Sequence, residues 1–128
     1  MTQLHTARAL RAAPPRRPGL IERRILIVQQ VVAAHYGLNA QALASMCKVG
    51  RYTWPRQVAM ALARRVVGRS WEEVGAAFAG RSHSTVLRGA EKVEGRCRSF
   101  PDLAGEVSGL EGAARAAIAA AEGGRTDA

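Results

Sequence analysis

Between Leu20 and Ile118 the apolar residues of this chain recur every third or fourth position, and no strand-like alternation of apolar and polar residues interrupts them. A period near 3.6 buries one stripe of a helix, whereas a half-buried strand needs a period of two. This patterning confines the chain to an all-α fold, in which helices must cover one another's apolar stripes. Ile21, Ile25, Val28, Val32 and Tyr36 mark a first helix from Leu20, ended by Gly37. Asn39 can cap a short second helix holding Ala42 and Leu43. Residues 46–54 read as a loop containing Lys48, Gly50 and Arg51. Pro55 suits the first position of a third helix, where its missing N–H costs nothing. Val58, Ala59, Leu62 and Val66, with Met60 and Ala63, form its buried side, leaving Arg56, Arg64 and Arg65 outside until Gly68 ends it.

Ser70 and Glu73 fit a capping box for a fourth helix whose apolar stripe is Val74, Ala77 and Phe78. Ala79-Gly80-Arg81 is a short turn, and Ser82 caps a fifth helix lined by Val86, Ala90, Val93 and Cys97. Two short helices joined by a glycine-containing turn make a helix-turn-helix. A break at residues 99–102 precedes an Ala-rich sixth helix to about Ala121, with Leu103, Val107, Leu110, Ala114 and Ile118 on one face. The expected architecture is a compact helical domain of about six helices containing a helix-turn-helix. It comprises residues 20–121, with a disordered basic N-terminal arm at residues 1–19 and a frayed tail at residues 122–128. The arm holds Arg8, Arg11, Arg16 and Arg17, no acid, and three prolines that break helices.

Charge narrows the partners. The chain has 128 residues and a formal net charge of +9, clustered rather than spread. Arg51, Arg56, Arg64, Arg65 and Arg69 span a segment without acids, and Arg81, Arg88, Lys92, Arg96 and Arg98 follow. Beyond Ser99 the balance reverses through Asp102, Glu106, Glu111, Glu122 and Asp127. A basic cluster on the helix-turn-helix and the helix before it points to a polyanion, nucleic acid before an acidic membrane surface. The acidic last helix is expected to face away from that partner, or towards a protein. No apolar run approaches a membrane span, so no membrane partner is expected. The N-terminal residues lack an apolar core, so no secretory signal is expected and the location is cytoplasmic, with the nucleoid. Cys47 and Cys97 lie far apart, without a Cys-x-x-Cys or a histidine at ligand spacing, so no metal and no cofactor is expected. His83 stands beside Ser82 and Ser84, but no carboxylate is placed to orient it as a catalytic base, and an enzyme is not expected.

Three segments, in order, resemble the C-terminal DNA-binding domain of the bacterial replication initiator DnaA, a TrpR-like helix-turn-helix. They are residues 54–63 around Pro55-Arg56-Gln57, residues 70–78 around Glu73-Val74-Gly75, and Gly80-Arg81-Ser82-His83-Ser84-Thr85-Val86-Leu87. The last is similar to that family's Gly-Arg-Asp-His-Thr-Thr-Val signature, and Lys92 matches a lysine further along its helix. The resemblance covers roughly residues 21–110. It implies that Ser82, His83 and Ser84 read base edges in the major groove while the loop with Lys48 and Arg51 reaches the minor groove. It further implies phosphate contacts from Arg56, Gln57, Arg64, Arg81, Thr85, Arg88 and Lys92.

Three departures from the family pattern bear on which DNA would be read. Ser82 stands where the signature has Asp, and a hydroxyl discriminates less than a carboxylate, which accepts only from an amino group such as that of cytosine. Ser84 lacks the methyl of a Thr, and Lys48 takes the place of an Arg that suits a narrow minor groove. The 128 residues contain no Gly-x-x-x-x-Gly-Lys-[Ser/Thr], so the resemblance carries DNA reading and not ATP-driven chemistry. The expected function is a sequence-specific double-stranded DNA-binding protein that regulates transcription. Detached readers of this kind are similar to activators of phage-like or gene-transfer-agent genes. RNA polymerase or another transcription factor would meet the arm or the acidic helix. A replication modulator competing for initiator boxes is the alternative, and a protein–protein adaptor that no longer reads DNA is a third.

Overall fold

The computed structural model describes residues 19–123; the expected basic arm, Gly19 apart, and the last five residues lie outside them. Six α-helices and one 3-10 turn make up the described residues, without a strand. They are α1 (Leu20–Tyr36), α2 (Ala40–Ala44), the 3-10 turn Gly50–Tyr52, α3 (Thr53–Val67), α4 (Trp71–Ala76), α5 (His83–Ser99) and α6 (Pro101–Gly123).

Local chemistry sets most of these boundaries. The Glu22 carboxylate reaches back to the Gly19 N–H at the start of α1. Gly37 ends α1 in the left-handed region at φ 67°, where an L side chain would be strained. Asn39, Ser70 and Ser82 each accept a hydrogen bond from the N–H three residues on, starting α2, α4 and α5. Two boundaries differ from expectation. α3 begins at Thr53, two residues before Pro55, because the 3-10 turn inside the expected loop runs directly into it. The break before α6 narrows to Phe100, since Pro101 opens the next helix without needing an N–H partner. α6 continues to Gly123, past the expected end at Ala121, and there the Glu122 carboxylate meets Arg24 of α1 at 2.6 Å.

α3 is the central helix, packed against α1, α4, α5 and α6. Six consecutive residues, Val58 to Ala63, are buried there, so a surrounded helix replaces the one-sided stripe its pattern suggested. Ile25, Val28 and Val32 of α1, Val74 and Phe78, Val86 and Val93 of α5, and Val107 and Leu110 of α6 close around it. Fully burying each such side chain contributes roughly 1.5–3 kcal/mol. One polar residue joins this core. Gln29 is 4% exposed on the stripe of α1, and its Nε2 donates to the carbonyl of Ala77 at 2.9 Å. A polar residue four positions after Ile25 and three before Val32 is the sequence signal that marks it.

The turn between α4 and α5 is the most constrained part of the backbone. Ala79 and Gly80 both take positive φ, 63° and 73°. Gly80 does so without cost, whereas Ala79 is held there by its neighbours. The N–H groups of Phe78 and Arg81 both donate to the carbonyl of Gly75.

Candidate nucleic-acid interface

The first turn of α5 presents four small or polar side chains to solvent. Ser82, His83, Ser84 and Thr85 are all exposed, while Val86 behind them is fully buried and fixes the helix against the core. The Ser82 oxygen lies 3.3 Å from the Thr85 N–H that it caps and 3.0 Å from the Thr85 hydroxyl. Ser82 and Thr85 are thus coupled, and a ligand group reaching either hydroxyl competes with the other. His83 and Ser84 have no such engagement. The first-turn N–H groups and the small side chains leave room for an acceptor-rich edge to approach.

Beside this turn, α3 and α5 enclose an open groove lined by Thr53, Arg56, Gln57 and Met60 on one side and Thr85, Arg88 and Lys92 on the other, with Arg81 of the preceding turn. Gly89 sets its width. A Cβ there would stand 3.1 Å from Met60 Cε and 3.3 Å from Gln57 Cγ, so a larger residue would need those side chains to shift by a few tenths of an ångström. Thr53 and Gly89 belong to this groove although neither stands out in the sequence.

Three of the arginines expected on phosphates are engaged within the protein. Arg56 is 6% exposed; its Nε donates to the Leu43 carbonyl at 2.7 Å and its Nη2 to the Ala42 carbonyl at 3.1 Å. Its guanidinium lies against the end of the short α2, where the Ala42 carbonyl also accepts from the N–H and hydroxyl of Ser45. Burial, followed by the charge of Arg81, holds its pKa below the ordinary arginine value. Arg81 donates through one nitrogen to the carbonyls of Ser45 and Phe78, each at 2.8 Å, and burial lowers its pKa as well. Arg64 reaches the carbonyl of Arg69 at 2.6 Å and lies over the Trp71 ring at 4.9 Å, tying the end of α3 to the start of α4. Arg64 and one bond of Arg81 use carbonyls five and three residues away, whereas the Arg56 bonds and the bond from Arg81 to Ser45 need segments 13 to 36 residues away, which a linear sequence does not display.

Their internal roles still serve the surface. Arg56 and Arg81 both reach the end of α2, one from α3 and one from the turn before α5. They fix the loop of residues 45–52 relative to the first turn of α5. On that loop Lys48 and Arg51 are exposed, and the Arg51 guanidinium lies 5.4 Å over the Tyr52 ring. Lys48, Arg51, Arg88, Lys92, Arg96 and Arg98 form no ion pair among the described residues. Arg65 and Arg69, by contrast, are paired with acids, Arg65 with Glu94 and Glu111 and Arg69 with Glu73.

The acids of α6 are largely consumed within the fold. Glu106 accepts from the Tyr36 hydroxyl at 2.6 Å, Glu111 meets Arg65 and Arg115, and Glu122 meets Arg24. Burial and then the Glu106 hydrogen bond push the Tyr36 phenol well above its ordinary pKa, so it stays protonated. The apolar stripe of α6 is likewise used inside this one chain, with Val107, Leu110 and Ala114 buried. Among the described residues no cluster of His, Cys, Asp and Glu could hold a metal ion, and no helix is long and apolar enough to cross a membrane.

The family profile described as bacterial dnaA protein helix-turn-helix matches residues 25–93. The chain is 39% identical over 88 residues to the chromosomal replication initiator protein DnaA of Agrobacterium fabrum, an alignment covering 69% of this chain and 18% of that protein. It is 40% identical over 88 residues to the DnaA of Brucella abortus, with the same coverage. This chain therefore spans under a fifth of the length of these relatives. Among solved structures, the crystal structure of a DNA replication initiation factor superposes with a TM-score of 0.70 at 25% identity, over 77% of this chain and 30% of that one.

Proposed function

The chain belongs to the bacterial DnaA helix-turn-helix family, and from that premise we propose that it is a sequence-specific double-stranded DNA-binding protein acting as a transcription regulator. His83 and Ser84 read base edges in the major groove from the first turn of α5. Ser82 and Thr85 set that turn's geometry and meet the DNA through their shared hydroxyl pair. Lys48 and Arg51 enter the adjacent minor groove, and Gln57, Arg88 and Lys92 hold phosphates along the groove between α3 and α5.

The observation that carries this reading is the exposed, capped first turn of α5 beside a groove lined by cations without acid partners. Small polar side chains allow close approach to bases, while the flanking cations supply the sequence-independent attraction. Ser82 supports a regulator over an occupant of initiator boxes. Its hydroxyl replaces the acceptor-only carboxylate of the family signature and is engaged by Thr85, so the preferred DNA word differs from the family's.

Selection from a random duplex library tests both parts. The wild-type chain is expected to enrich one short word, and His83→Ala to weaken its binding by roughly 1–3 kcal/mol, the scale of a base contact. Equal affinity of that variant for the selected word would remove His83 from the reading set. Ser82→Asp is expected to shift the selected word; the same word from both proteins would overturn the account of Ser82. The names of the relatives favour a second reading, a modulator of replication. Chromatin pulldown separates the two, because promoter-centred peaks support regulation and peaks confined to an origin support replication control.

A further inference from the structure

Arg96 lies on α5 one turn beyond Lys92, and its guanidinium stands 5.1 Å over the ring of Trp54. Trp54 is held in turn, since its indole N–H donates to the Tyr36 hydroxyl at 3.0 Å and that hydroxyl donates to Glu106. The ring beneath Arg96 is thus fixed by α1 and α6, and it sits in the first turn of α3, next to Thr53 of the groove. Arg88, Lys92 and Arg96 are spaced four residues apart, about 6 Å per step along the helix axis. The contact with Trp54 shows that Arg96 continues the side of α5 that faces α3.

We propose that Arg96, stacked on Trp54, is a further phosphate-binding residue that extends the DNA contact one helical turn beyond Lys92; this rests on the DNA-binding reading above. A stacked guanidinium offers its face to the ring and keeps its N–H edge free for two parallel hydrogen bonds to a phosphate. Stacking also restricts the long side chain before binding, which reduces the ordering cost on association. Distance decides between a base and a phosphate as the ligand. Arg96 is about 18 Å from Ser84 along α5. A major groove is about 8.5 Å deep. With the first turn of α5 at the base edges, Arg96 is too far along the helix to reach a base, which leaves phosphate as the DNA group within its reach. It is exposed, and no acid among the described residues pairs with it.

The test is fluorescence anisotropy of the full chain with a labelled duplex carrying the selected word, and with a scrambled duplex, over a range of salt. Arg96→Ala is expected to flatten the slope of log K against log salt by about 0.9 and to lose about eightfold in affinity at ~0.1 M salt, on both duplexes alike. Arg96→Lys, which keeps the charge and loses the bidentate stacked geometry, is expected to keep the slope and bind more weakly than wild type. Lys92→Ala is the control for the groove. If it flattens the slope and Arg96→Ala does not, the proposal is overturned while the DNA-binding reading stands. Loss of discrimination between the two duplexes in Arg96→Ala would also overturn it, since that is the mark of a base contact. If the wild-type chain shows no salt-dependent DNA binding, the DNA-binding reading fails first and the proposal with it.

Discussion

A Cβ on Gly75 would stand 2.0 Å from the carbonyl oxygen of Arg81, and the obstructing atom is backbone. The same glycine accepts from Arg81 N–H and Phe78 N–H, so the turn folds back across its bare α-carbon. Gly75→Ala is therefore expected to destabilise the fold by about 3 kcal/mol, the upper range for forcing atoms into a packed site. Urea denaturation reads that loss, and a change below ~1 kcal/mol would mean that the turn relaxes around a methyl group. The sequence singled out Gly80, which meets nothing at its α-carbon, and named Gly75 only as part of the Glu73-Val74-Gly75 segment; it passed over Gly89, whose neighbours Met60 and Gln57 come from α3. The difference is physical: a turn glycine is a local feature, whereas a packing glycine is defined by whatever the fold lays against it.

At the scale of elements, α6 is an acidic helix whose charge is spent on holding it to the rest of the domain. Its Glu111 is subject to partial burial, which alone would raise its pKa. Hydrogen bonds from Arg115 and Arg65 outweigh that and keep the carboxyl below its ordinary value of 4.5. A carboxylate with a folded pKa below its unfolded one stabilises the fold above the unfolded value, and that stabilisation is lost as pH falls through the folded pKa. The melting temperature is therefore expected to fall between about pH 5 and pH 3 more steeply in wild type than in Glu111→Gln, whose amide cannot titrate. Parallel curves for the two proteins would show that the Arg65 and Arg115 contacts add nothing to stability. The charge reversal after Ser99 was plain in the sequence. The use of this helix's acids within the fold was not, because the partners Arg24 on α1 and Arg65 on α3 come within reach only when the helices pack.

For the whole molecule, net charge and binding charge are different quantities. Of the arginines in the basic stretch, Arg56, Arg64 and Arg81 hold carbonyls, and Arg65 and Arg69 face acids. The cations of that stretch without an ion pair among the described residues are Arg51 on the 45–52 loop and Arg88, Lys92, Arg96 and Arg98 of α5. Lys92→Ala is accordingly expected to flatten the salt dependence of DNA binding by about 0.9 and Arg64→Ala to leave it unchanged. An equal loss of slope in both variants would return Arg64 to the phosphate set. Arg56 and Arg81 tie the end of α2 to α3 and to the turn before α5, so the spacing between the first turn of α5 and the 45–52 loop belongs to the fold rather than to either segment.

What the sequence determined by itself was everything governed by neighbours along the chain. The period of the apolar residues, the caps at Asn39, Ser70 and Ser82, the terminating glycines and the exposed first turn of α5 all depend on interactions within a few residues. What only the tertiary structure decided was the use of each charged side chain. An arginine reads the same in a sequence whether it will meet a phosphate, a carboxylate or the carbonyls at the end of a short helix. Long flexible side chains take their partners from whatever packing brings within about 3 Å. For Arg56 those partners lie 13 and 14 residues away and for Arg81 at Ser45, 36 residues away.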